Sequence, residues 1–261
     1  MKTLGELGRA GESLAELGVI CMHGHFGRYS HTIADVTAAG LVRMMDRVGV
    51  KAMMLSHMQC MAWSVRQGND ELLAAMQAYP GRLLGYVVLS PVLGDVTAEM
   101  ARCVGLGFSG LKLHNGNGFS YTDPAYAGAL AIANERQMPV LFHTWGEASV
   151  FAMTRTLAAA YPKANFIMAH AGTGGAEAEY GRIAREVANV YLDTCYSVGP
   201  RGLVERLVTG AGADKVLFGS DCYFYGFTQQ IGKVLGANLP EPVKRQVLAG
   251  NAARLLAQVA R

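Results

Sequence analysis

Apolar runs recur along the chain at a near-regular step, at residues 18–23, 50–56, 83–89, 109–114, 139–143, 165–170, 189–193 and 215–220. Each is short, rich in β-branched and large apolar side chains, and bounded by turn residues, which is the pattern of a strand. Runs such as YVVL and VLF stay apolar without alternation, as a sheet covered on both faces requires. Between them lie segments with helical spacing: ADVTAAGLVRMMDRVG, NDELLAAMQAYPGR, VTAEMARCVGLG, DPAYAGALAIANERQ and EASVFAMTRTLAAAYP. Gly and Pro fall mostly in the turns, as in AYPG, LSP, RQMP and AYPK. Eight strands alternating with helices predict a parallel sheet. The length of 261 residues matches one (β/α)8 barrel, whose typical size is about 250. With no linker or break in composition, residues 1–261 are expected to form one domain. The rival is an open doubly wound sheet, which expects a Gly-rich phosphate loop after its first strand. HGHFGRYS carries neither GxGxxG nor GxxxxGK[ST]. A solenoid would repeat a residue pattern at that step, and none is visible.

Metal-type side chains stand at the exits of four of these runs. They are His23 and His25 in VICMHGHFG, His143 in MPVLFHTWG, His170 in ANFIMAHAG and Asp221 in KVLFGSDCY. A barrel gathers the C-terminal ends of its strands at one mouth, where its chemistry sits. His23 and His25 are two apart on a strand and so share a face. Nitrogen and carboxylate donors together suit zinc first, and also manganese or iron. Without a metal, these would be hydrogen-bonded core histidines, and Asp221 a helix N-cap.

Lys112 and His114 end the fourth strand on one face. Lys112 is expected to be a buried cation paired with a carboxylate, or a contact to a substrate anion, and His114 to line the mouth. Arg28 and Tyr29 follow HGHFG; Arg28 could hold a substrate carboxylate or phenolate, or simply face solvent. Tyr223, Phe224 and Tyr225 follow Asp221, and Trp63 follows His57. Such aromatics would wall a site for a ring-shaped substrate, unless they are ordinary packing. His31 is expected at the surface.

Bulk composition removes several classes of function. Hydrophobic residues make up 51% and charged ones 16%, enough for a large core, so a metal would be catalytic rather than a folding staple. The net charge is +3 with no basic run, which makes nucleic acid a poor partner and a small anionic substrate acceptable. Five cysteines without a CxxC pair argue against a disulfide framework and against a thiolate zinc site, and for a reducing compartment. The N-terminal segment has no unbroken apolar stretch, and no run reaches the roughly 18 apolar residues of a membrane span. A cytoplasmic protein without membrane or nucleic-acid partners is expected.

HGHFG, YPGRLLGYVVLSP, GFSGLKLHNG, MPVLFHTW, MAHAG, VYLDTCYS, VLFGSDCYF and VLAGNAARLL occur in this order along nearly the whole chain. Their order resembles that of the amidohydrolase-related (amidohydrolase 2) family of the metal-dependent hydrolase superfamily. The resemblance implies a distorted (β/α)8 barrel with metal ligands at His23, His25, His143 and Asp221. It implies that His170 moves protons or orients substrate in a mononuclear site, or is a ligand in a binuclear one. In binuclear members a carboxylated lysine bridges two metals, and Lys112 is the position where that would occur. One departure stands out: the family usually has Asp two residues before the first His of HxH, and Cys21 stands there, expected on the face of His23 one step deeper. Dimers are common among such proteins, so a homodimer is compatible.

Three functions follow from this resemblance. The leading expectation is a hydrolase in which a metal-activated water attacks a lactone, ester or amide, with Asp221 also accepting the proton of that water. The alternative is a metal-dependent, non-oxidative decarboxylase of an aromatic or enoic carboxylic acid. The third is a non-catalytic binding protein on the same barrel.

Overall fold

All eight apolar runs become parallel strands in the computed structural model, which describes residues 2–29, 37–61, 63–196 and 198–260. His31 lies outside the described residues. The strands are β1 (Val19–Phe26), β2 (Val50–His57), β3 (Leu83–Val88), β4 (Gly110–Leu113), β5 (Pro139–Phe142), β6 (Asn165–Met168), β7 (Val190–Asp193) and β8 (Val216–Leu217). They are hydrogen-bonded in chain order. A short helix, α1 (Leu4–Arg9), precedes them. One longer helix then follows each strand: α2 (Ala38–Val48), α3 (Val65–Ala78), α4 (Val96–Gly105), α5 (Ala127–Glu135), α6 (Ala148–Ala160), α7 (Glu177–Glu186), α8 (Leu203–Ala211) and α9 (Phe227–Leu235). Two more, α10 (Glu241–Arg245) and α11 (Asn251–Gln258), end the chain. Several helices start where the sequence offers a cap: the side chains of Thr37, Ser64 and Asp95 accept from the backbone N–H of Gly40, Gln67 and Ala98.

The seam between the last and first strands makes the sheet a barrel. Met22 N–H donates to the Phe218 carbonyl at 2.8 Å, Asp221 N–H to the His23 carbonyl at 2.9 Å, and Gly24 pairs with Cys222. The architecture is the predicted (β/α)8 barrel. Its interior is packed, not a pore: Ile20, Met22, Tyr86, Leu141, Ile167 and Leu217 fill it, joined by Ala252 and Leu255 of α11. Tyr86 is wholly buried there, and its hydroxyl donates to the Met22 carbonyl at 2.8 Å. A second, larger core lies between strands and helices. All five cysteines are free and buried. Among the described residues no helix is long and apolar enough to cross a membrane.

Strand β1 departs from simple alternation. Ile20 and Met22 belong to the interior and Cys21 to the outer core. The register against β2 shifts between Cys21 and Gly24, a bulge that re-aims the strand. His23, inside the bulge, and His25, just beyond it, turn to the mouth. Cys21 therefore does not share the face of His23, contrary to the period-two expectation. Its thiol donates to the His23 carbonyl at 3.2 Å and lies 3.1 Å from Ser220 Oγ, so it braces the seam.

Candidate metal centre

The three residues at the barrel seam stand nearest one another. His25 Nε2 lies 2.8 Å from Asp221 Oδ1, and His23 Nε2 lies 3.5 Å from the same oxygen. Their ligand atoms all fall within 4.8 Å of one another. That spacing fits donors each about 2 Å from a single ion. His170 is next, with its ring centre 5.1 Å from that of His23. His143 is one ring further out, its Nδ1 3.1 Å from His170 Nε2. Lys112 Nζ lies 3.2 Å from His23 Nε2, and the His114 ring lies 4.4 Å from that of His143. The mouth thus brings together His23, His25, Lys112, His114, His143, His170 and Asp221. Arg28 is exposed in the loop after β1. Tyr223 packs against the outer core, while the Phe224 ring sits 5.1 Å from that of His25. His57 faces away from the mouth, its Nε2 3.1 Å from a Glu71 carboxylate oxygen.

Two of these side chains depend on unusual backbone. His170 and Asp221 have φ of 55° and 56°, in the left-handed region that non-glycine residues seldom adopt. Ile167 of β6 and Ala169 just beyond its end face the interior, so regular alternation would aim Ala171 inward next. The left-handed turn at His170 puts the imidazole there instead. Asp221 caps no helix, since the next helix begins at Phe227. Non-glycine residues in this conformation cluster at functional sites, where surrounding packing enforces them.

Three supporting groups carried no assigned role in the sequence. Asp193 is wholly buried at the end of β7, its Oδ2 2.6 Å from His23 Nδ1. Its Oδ1 accepts the backbone N–H of His170 at 2.9 Å and of Cys195 at 3.1 Å. A carboxylate accepts only, so His23 carries its proton on Nδ1 and turns the lone pair of Nε2 toward Asp221. Ser56 Oγ lies 2.9 Å from His25 Nδ1 and holds that ring in place. Cys195 Sγ lies 3.2 Å from His23 Nδ1 and 3.1 Å from His170 Nδ1. His23, His170 and Cys195 also form a cluster of metal-type donors. That cluster meets His23 on the nitrogen already bonded to Asp193, so the thiol supports the rings from behind. The polar exit of VYLD was a readable signal for Asp193; Ser56 and Cys195 gave none.

Electrostatics suit a cation. Burial lowers the pKa of His25 to about 4 and those of His114 and His170 to about 3, and pushes His143 lower still. These imidazoles are therefore neutral at pH 7, as metal ligands must be. Burial pushes the Asp221 carboxyl up, but the hydrogen bond from His25 and the neighbouring His23 ring outweigh it and hold it at about 2. Burial lowers the Lys112 ammonium. His143 Nε2 is buried without a hydrogen-bond partner among the described residues. A buried orphan of this kind costs about 1–3 kcal/mol, which a bound ion would offset.

Gly219 makes room for the His23–Asp193 pair. A Cβ on it would stand 2.8 Å from Asp193 Oδ2 and 2.9 Å from His23 Cβ. Gly219→Ala is therefore expected to displace His23, cost about 1–3 kcal/mol and lower metal affinity. Thermal melts and metal titration of the variant check this; wild-type values in both would show that the pair tolerates displacement.

The amidohydrolase family model Amidohydro_2 matches residues 20–258. No curated protein sequence matches the chain. Several solved structures are similar in fold. A 5-carboxyvanillate decarboxylase from Novosphingobium aromaticivorans, with bound manganese and 3-methoxy-4-hydroxy-5-nitrobenzoic acid, superposes with a TM-score of 0.75 at 13% identity, covering 94% of this chain and 99% of that one. A 2,6-dihydroxybenzoate decarboxylase complexed with 2,6-dihydroxybenzoate gives 0.70 at 17% identity, covering 92% and 99%. A protein from Acinetobacter baumannii described as a probable 2-pyrone-4,6-dicarboxylic acid hydrolase, with citric acid bound, gives 0.69 at 16% identity, covering 92% and 99%. At these identities the likeness is one of fold. The family match spans the whole barrel, from the strand that carries His23 and His25 to the last helix, and by it the chain belongs to the Amidohydro_2 family of amidohydrolases.

Proposed function

We propose that this protein is a metal-dependent, non-oxidative decarboxylase of a small aromatic carboxylic acid. The observation that carries the reading is a cluster of neutral imidazoles and one carboxylate walled by aromatic rings. Trp145 stacks on His170, and Phe224 lies against His25. The decarboxylases among the fold neighbours, two of them with an aromatic acid bound, support the same reading. It displaces the hydrolase favoured by sequence, which remains the second reading because the fold also serves the hydrolase named above.

In this proposal His23, His25, Asp221 and His143 hold one divalent ion. Bound there, the ion polarises substrate oxygens that gain negative charge. Zinc fits the donor set, and manganese fits it as well, as two manganese-bearing neighbours illustrate. Lys112 beneath the site and Arg28 at its rim supply positive charge toward the carboxylate. His114 Nδ1 accepts the Gly116 N–H at 2.9 Å, so the ring proton is on Nε2, which donates to a substrate oxygen. His170 carries the proton. The bond from ring carbon to carboxylate breaks, its electron pair stays on the ring carbon, and carbon dioxide leaves; that carbon takes a proton relayed through His170, whose neutral imidazole gives up one proton and takes another from water.

The test is carbon dioxide release by manganese- or zinc-loaded protein from a panel of hydroxybenzoates, set beside ring opening of a panel of lactones. His170→Ala is expected to retain the ion and lose about 10²–10⁴-fold in rate, the usual worth of a general acid–base group. Lactone opening without carbon dioxide release would move the assignment to the hydrolase. Loss of the ion in His170→Ala would make His170 a ligand.

A further inference from the structure

Trp145 is half exposed, at 51%, in the loop after β5, two residues beyond His143. A single exposed apolar side chain needs no explanation. Its ring geometry does. The indole lies nearly parallel to the His170 imidazole, with an interplanar angle of 4° and centres 5.4 Å apart, which is an offset stack. It meets His143 edge-on, with centres 4.5 Å apart and planes at 70°. The loop is pinned where Trp145 N–H donates to Glu147 Oε2 at 3.0 Å. One flat, half-open ring thus lies parallel to the residue proposed to relay the proton.

We infer that Trp145 is a specificity-determining residue, an aromatic platform on which the substrate ring lies while its carboxyl-bearing carbon meets His170. This rests on the decarboxylase reading and adds the selection of flat rings over saturated ones. A planar ring entering parallel to His170 finds a surface already in offset-stacking register. A saturated ring of the same size and charge is puckered and gains no such contact. Binding to the ion and to the cationic groups is common to both kinds of acid, so the platform sets the difference between them.

The chain has two tryptophans, and the other, Trp63, is also half exposed, in the loop after β2. Trp63→Phe therefore leaves Trp145 as the sole indole reporter. Manganese quenches fluorescence, so zinc-loaded protein is titrated with 2,6-dihydroxybenzoate and with cyclohexanecarboxylate. The expected result is a change in Trp145 emission with the aromatic acid and little with the saturated one. Trp145→Ala should weaken binding of the aromatic acid roughly three- to tenfold and leave the saturated acid unchanged, while Trp145→Phe restores most of the preference. Isothermal titration gives those affinities, with zinc content measured in each variant. If the aromatic acid binds wild type and Trp145→Ala equally, the platform is wrong and the decarboxylase reading stands. If 2,6-dihydroxybenzoate and other hydroxybenzoates all fail to bind the zinc-loaded wild type, the reading fails and the platform with it.

Discussion

Asp221→Ala is expected to strip the ion from the purified protein and to lower turnover by at least about 10³-fold, the several kcal/mol that a metal supplies to developing charge. Its carboxylate is the only anion in the proposed ligand set, 2.8 Å from one imidazole nitrogen and 3.5 Å from the next. Without it, neutral imidazoles are left beside the Lys112 ammonium, a poor place for a dication. The barrel should survive, because its interior and outer cores are built by side chains outside this set. Loss of one hydrogen-bond partner for His25 should cost about 1–3 kcal/mol. Metal analysis and a thermal melt on the same sample check both parts. An unfolded variant would make the ion structural, and a fully loaded, active variant would remove Asp221 from the site.

The second large effect is expected at a residue outside the ligand set. Asp193→Ala removes the acceptor for His23 Nδ1 and for the backbone N–H groups of His170 and Cys195. All of these groups are buried. Leaving a buried N–H donor unsatisfied typically costs about 1–3 kcal/mol for each group. The orienting partner of a ligating histidine is typically worth about 10–100-fold in metal affinity. Asp193→Asn retains the shape and one oxygen, so it should lose less stability while still weakening the ion. Chemical denaturation and metal titration of the pair separate the two effects. Wild-type stability and affinity in Asp193→Ala would mean that His23 needs no partner on Nδ1.

Much of this architecture was legible in the chain because barrel strands are covered on both faces and so appear as short apolar runs. A polar residue at the exit of such a run has few places to go but the mouth. That logic located His23, His25, His143, His170 and Asp221, and it applies equally to Asp193, which was passed over inside the stretch VYLDTCYS. What stayed hidden depends on conformation rather than composition. The bulge between Cys21 and Gly24 reverses which face β1 presents, and period-two counting runs straight through it. The left-handed turns at His170 and Asp221 are imposed by packing across the barrel, not by residue type. The stack of Trp145 on His170 is fixed by a loop, so it had no signature in sequence. Among the aromatics after Asp221, local sequence could not say that Phe224 would meet His25 while Tyr223 packed into the outer core.

The central claim is that one divalent ion sits on the Nε2 side of His23. Crystals grown with zinc or manganese and measured at the absorption edge of that metal test it directly. The account predicts a single anomalous peak about 2.0–2.3 Å from His23 Nε2, His25 Nε2 and an Asp221 carboxylate oxygen, with His143 drawn in as the fourth ligand, Lys112 moved aside and Asp193 still on His23 Nδ1. A peak on Cys195, His170 and His23 Nδ1 instead, or no peak in the mouth at saturating metal, would contradict it.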